Sequence, residues 1–128
     1  MKPTLAAAAL AAMLAAPAAQ AQDAVAAETA AQLAALCTTT ANDLRGHVAV
    51  AYCHGFFAGV GQYHAALYPP GRRSDPRFCV PSPAPTVGAA AASFATWVGA
   101  NPQHAGERAV DAMLRWARAT YPCPQARR

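Results

Sequence analysis

The chain has 128 residues, of which 55% are apolar and 12% charged, and carries a formal charge of +4. That length supports one domain and excludes a large multidomain enzyme, while the mild positive balance falls short of the basic stripes that nucleic-acid binders carry. Alanine supplies 37 residues, so much of the apolar fraction favours helix without burying much area, and the core must come from fewer, larger side chains.

Lys2 precedes an unbroken apolar run, Leu5 to Ala16, and Ala19-Gln20-Ala21 has the small-x-small form accepted by signal peptidase. Residues 1–21 therefore read as a cleaved secretory signal, leaving 22–128 as a single helical domain. Asp23 to Cys37 reads as a first helix with a thin stripe of Val25, Leu33, Leu36 and Cys37, broken by Thr38 to Asp43. Gly46 to Tyr68 reads as a core helix, because Phe56, Val60, Tyr63 and Leu67 recur at three- and four-residue steps. His47, His54, Gln62 and His64 interrupt the run and argue against a membrane span. Gly55 and Gly59 share a face, as they would where another backbone comes close.

Pro69-Pro70-Gly71 ends this helix and opens a proline-rich loop reaching Pro85, with Arg72, Arg73, Asp75 and Arg77 in it and Cys79 to pin it. Thr86 can cap a third helix, Val87 to Ala100, with Val87, Ala91, Phe94, Ala95 and Val98 inward and Trp97 on the flank. Asn101-Pro102 stops it. A fourth helix runs from about Glu107 to Thr120, with Val110, Met113, Leu114 and Ala117 inward, and Tyr121-Pro122-Cys123-Pro124 ends it. The expected fold is all-α, a small bundle of about four helices.

The mature chain keeps four cysteines, Cys37, Cys53, Cys79 and Cys123, and an even count in a small secreted chain reads as two disulfides. Four cysteines admit three pairings and the sequence does not choose among them, although Cys37–Cys53 with Cys79–Cys123 is preferred. Their spacings of 16, 26 and 44 residues lack the close pairs of a zinc site. No nucleophile elbow, P-loop, zincin motif, dinucleotide fingerprint or c-type haem motif occurs, and the acids are scattered. Cys53-His54 does not make a nucleophile–base pair, since adjacent helical residues point about 100° apart. The histidines offer only a loose candidate cluster, so no metal, cofactor or reaction is expected. A stapled helical body presenting loops fits a binding protein, or alternatively a periplasmic chaperone or stress protein whose four histidines gain charge near pH 6.

The order of motifs adds to this. Tyr52-Cys53-His54-Gly55-Phe56-Phe57-Ala58-Gly59-Val60, then Phe78-Cys79-Val80-Pro81, then Asn101-Pro102-Gln103-His104, then Ala112-Met113-Leu114 with Tyr121-Pro122-Cys123, resembles the Rap/Tai immunity proteins. These are periplasmic helical proteins that neutralise peptidoglycan amidase toxins delivered by type VI secretion. The resemblance covers about Leu33 to Cys123, with Phe56 where the family has Tyr and Asn101 where it commonly has His. It implies a protein partner, an amidase whose cleft is blocked by a loop, with Asn101–Glu107 and the Pro69–Pro85 loop as inserting elements. Gln103, His104 and Arg108, then Arg72 and Arg73, are the candidate partner-binding residues. It also implies a homodimer, for which the Gly55/Gly59 face or the aromatics Trp97 and Trp116 are candidates.

Overall fold

The computed structural model describes residues 25–70 and 75–124. The expected secretory signal and the candidates Arg72 and Arg73 lie outside the described residues. Four helices follow one another, α1 (Ala30–Thr38), α2 (Leu44–Leu67), α3 (Val87–Ala100) and α4 (Ala109–Thr120), with a 3-10 turn at Pro102–His104 between the last two. No strand occurs among the described residues; the extended pairing is a single antiparallel bridge between Thr29 and Arg108.

Local chemistry sets the helix starts. Thr29 and Gln32 form a reciprocal capping box, which fixes the start of α1 at Ala30, later than the alanine-rich run suggests. The Asp43 carboxylate accepts the Gly46 N–H at 2.7 Å and the Thr86 hydroxyl accepts the Ala89 N–H at 3.1 Å, as N-caps should. Helix α4 begins at Ala109 and not at Glu107, because Glu107 and Arg108 are drawn into the bridge with Glu28 and Thr29.

Helices α2, α3 and α4 each give one aromatic ring to the centre. Phe57, Phe94 and Trp116 meet edge-to-face in all three pairs, with centroids 5.6, 5.8 and 5.9 Å apart. This arrangement sets the positive edge of one ring against the negative face of the next. Leu33 of α1 and Cys53 of α2 complete the fully buried set with Phe94. The small residues Ala30, Ala91, Ala109, Ala112 and Ala117 fill the positions where helices approach. Two disulfides tie this core together. Cys37–Cys53 joins α1 to α2, and Cys79–Cys123 joins the proline-rich loop to the segment after α4. The same loop docks through buried Phe78 and through the Cys79 N–H, which donates to the Tyr121 carbonyl at 2.8 Å.

On α3 Val87, expected inward, is exposed, and the faces of two other helices differ further from the expected ones. On α2 the inward residues are Ala49, Cys53 and Phe57, while Tyr63 and Leu67 are 67% and 51% exposed. On α4 the inward set is Ala109, Ala112, Met113, Trp116 and Ala117, and Val110 is exposed. In both, alanine and cysteine hold core positions that a search for large apolar residues passes over. Trp116 is therefore core, not a dimer surface, and Trp97 is half-buried. Nothing lies within 4 Å of where a Cβ would stand at Gly55 or Gly59, so neither marks a close approach. The glycine that does is Gly46, where a Cβ would run into the Thr40 carbonyl oxygen of the link between α1 and α2.

All four cysteines are bridged, so thiol titration of the native protein should find none free. Loop closure over 16 and 44 residues is worth about 3 and 4 kcal/mol respectively in the chain-entropy model. Urea unfolding should accordingly show the larger loss for the double variant Cys79→Ala/Cys123→Ala than for Cys37→Ala/Cys53→Ala.

At the end of α2, His64 stacks on Phe78 at 3.9 Å and lies against Tyr68, and burial holds its pKa below the usual 6.5. The folded state thus favours neutral His64. Its contribution is complete above pH 6.5 and is lost as pH falls from there toward the lowered pKa, because the unfolded chain then binds more protons. The urea midpoint should fall between pH 7.5 and 5.5, and His64→Phe should remove the His64 part of that fall.

Candidate functional site

The segment from Asn101 to Arg108 is short and irregular, yet every part of it is held. Asn101 ends α3 and its side-chain amide donates to the Trp97 carbonyl at 2.8 Å. Pro102 opens the 3-10 turn with its φ already set. The imidazole of His104 lies parallel to the Trp97 indole, with centroids 5.3 Å apart and 5° between planes. Its Nδ1 is 2.7 Å from Glu107 Oε1. Arg115, nearly two turns into α4, donates from Nε to Glu107 Oε2 at 3.2 Å and sits 3.1 Å from Oε1 through its terminal nitrogen.

The backbone of the turn is fixed by the start of α1. The Ala31 N–H donates to the Ala105 carbonyl at 3.0 Å and the Ala30 N–H to the Glu107 carbonyl at 2.9 Å. In return the first N–H of α4, on Ala109, donates to the Glu28 carbonyl at 2.8 Å. These are donors that a helix cannot satisfy within itself, so each of the two helices caps the other through the residues that precede it.

Two positive helix ends thus meet here, which favours carboxylates nearby. Glu107 and Asp111 occupy that place. The Glu107 carboxyl is held below the ordinary 4.5, first by its hydrogen bond to Arg115 and then by that to His104. Arg108 donates to Asp111 at 2.7 Å, and that bond raises the guanidinium pKa. The tip of the turn, Pro102, Gln103 and Gly106, faces outward.

The structure brings the expected residues Gln103, His104 and Arg108 together on this turn. It also adds Arg115, which sequence reasoning passed over, and gives bracing roles to Glu107, expected only as the end of the inserting element, and to Trp97, expected on a flank or a dimer surface. The spacing of His104 and Glu107, three residues apart, was the available signal for the first contact; the reach of Arg115 over eight residues had none. His47, His54 and His64 do not assemble into a site, and no three metal-ligating side chains come together among the described residues. Cys53 is bridged and offers no thiolate. Among those residues no helix is long and apolar enough to cross a membrane.

The described residues thus form a stapled all-α body with one outward-facing turn braced from behind. The profile of the Rap1a immunity proteins matches residues 29–123, most of the chain, and the chain belongs to that family. No curated protein and no solved structure gives a significant match.

Loss of the Glu107 carboxylate should loosen the turn without unfolding the bundle. In Glu107→Gln, exchange of the Ala30 and Ala31 amides should speed up several-fold while core amides of α3 keep their protection. A carboxyl with a lowered pKa contributes fully above its ordinary 4.5 and loses that contribution as pH falls through the lowered value. The wild-type turn should therefore loosen in the same way only in acid below that range.

Proposed function

We propose that this chain is a stoichiometric immunity protein that binds a peptidoglycan amidase effector of type VI secretion and seats the Asn101–Glu107 turn in the enzyme's cleft. Family membership supports an immunity protein acting on an effector. The observation that carries the cleft-blocking reading is the turn itself, which is locked from behind by Trp97, Glu107 and Arg115 and by the amides of Ala30 and Ala31. A segment already ordered loses little entropy when it docks, whereas a mobile one gives up about 0.5–1.5 kcal/mol for each side chain it orders. Gln103 and His104 are the contact residues of this reading, flanked by Arg108, with Arg72 and Arg73 as a second contact from the proline-rich loop. The protein acts as an inhibitor and performs no reaction of its own.

The two bridges and the family fit a periplasmic or secreted protein. In this reading residues 1–21 are removed on export and 22–128 form the working domain. It works as a homodimer, for which the exposed Gly55/Gly59 face of α2 and the half-buried Trp97 are the candidate surfaces.

The test uses a type VI peptidoglycan amidase effector of the same organism, sought first in the genes adjoining that of this chain. One equivalent of the wild-type protein should abolish cross-link peptide hydrolysis. Gln103→Ala and His104→Ala should each weaken inhibition about tenfold or more, in the range of a buried contact at an interface centre. Glu107→Gln should weaken it less, by adding an ordering cost. Undiminished hydrolysis at an equimolar ratio overturns the reading.

A further inference from the structure

The charged side chains of this protein are unevenly placed. Helices α1 and α3 carry none, and α2 carries only Arg45 beside its histidines. All three ion pairs among the described residues lie at one place, the turn and the open groove that continues from it along α4. Glu107, Arg108, Asp111, Arg115 and Arg118 line this groove, with Leu114 on its floor. Five of the ten charged side chains among the described residues are gathered here, within one stretch of twelve residues, while Glu28, Asp43, Arg45, Asp75 and Arg77 lie singly or in twos elsewhere.

Within the groove the charges are not equivalent. Arg115 is engaged with Glu107 and Arg108 with Asp111. Arg118 is exposed and makes no ion pair among the described residues. Three arginines against two carboxylates leave a positive excess, and it resides at the far end of the groove from the turn. Glu107 and Asp111 offset the charge of the two nearer arginines, so the excess of the groove is presented by the exposed Arg118.

We infer that the α4 groove is a steering surface for an acidic patch on the same protein partner that the turn engages, with Arg118 as its free contact. The inference rests on the proposed function and adds the chemistry of the partner's rim. Rim charges of this kind act mainly on the rate of encounter and on its salt dependence, and little on how long the complex lasts.

The experiment measures association and dissociation rates of the amidase effector used to test the proposed function with the wild-type protein, Arg118→Glu and Asp111→Asn, at about 20 and about 300 mM salt, spanning screening lengths of roughly 20 to 6 Å. Arg118→Glu should slow association about tenfold at low salt and flatten its salt dependence, with dissociation changed less than about twofold. Asp111→Asn, which raises the excess positive charge, should speed association about threefold; this gain cannot come from misfolding. Circular dichroism melts check that both variants are folded. Wild-type binding with unchanged rates in both variants overturns the steering surface and leaves the proposed function standing. The same result with Arg118-dependent binding to phosphatidylglycerol vesicles overturns it in favour of a lipid surface. Failure of the wild-type protein to bind the amidase overturns the proposed function, and this inference with it.

Discussion

The first amides of α1 and α4 have no partners inside their own helices, and each finds one in the residues that lead into the other. Ala30 donates to Glu107 and Ala109 to Glu28, across the Thr29–Arg108 bridge. A buried donor left without an acceptor costs about 1–3 kcal/mol, so neither helix can leave without exposing the other's need. The turn from Asn101 to Arg108 lies inside this exchange. Its shape follows from satisfying the ends of α1 and α4, which explains how eight residues with almost no regular structure stay ordered. Side chains then finish what the backbone began, with the Trp97 stack on one side of His104 and the Glu107–Arg115 pair on the other.

The sulfur bridges act on a different problem. So much alanine gives tight helix approach but little buried area per residue, and one aromatic cluster bears much of the packing. Phe57, Phe94 and Trp116 link α2, α3 and α4, while Leu33 and the Cys37–Cys53 bridge bring α1 to them. A domain of this size keeps a net stability of about 5–15 kcal/mol, against which closure of two loops is a substantial share. The second bridge also holds Phe78 against His64, so a proline-rich segment with no helix of its own is anchored at its centre.

Much of the fold was legible in the sequence. The four helices, the bounds of α3 from Val87 to Ala100, the cap at Thr86 and the preferred cysteine pairing all appear in the structure. These are local signals, set by a capping residue, a proline stop or a count of cysteines. The inward faces of α2 and α4 were less legible, because periodicity was read from large side chains whereas Ala49, Cys53, Ala109 and Ala112 hold the core positions. Trp116 is the clearest instance: it follows Met113 by three residues on the inner face, a spacing hidden when Val110 and Leu114 are taken as inward. The position of the turn was readable from Asn101-Pro102, but its rigidity was not. That depends on pairings between residues far apart in the chain, such as Ala30 with Glu107 and Glu28 with Ala109, and no short-range pattern encodes them.

The connectivity of the bridges has a bearing on how the chain matures. Cys37 pairs with the next cysteine along the chain, and Cys79 pairs with the one after it. A polypeptide emerging amino end first into an oxidising compartment meets the right thiol first on both occasions, and the earlier ring can close before any rival has appeared. Nearest-neighbour linkage therefore lets oxidation keep step with emergence, with little need for enzymes that unscramble wrongly joined sulfurs.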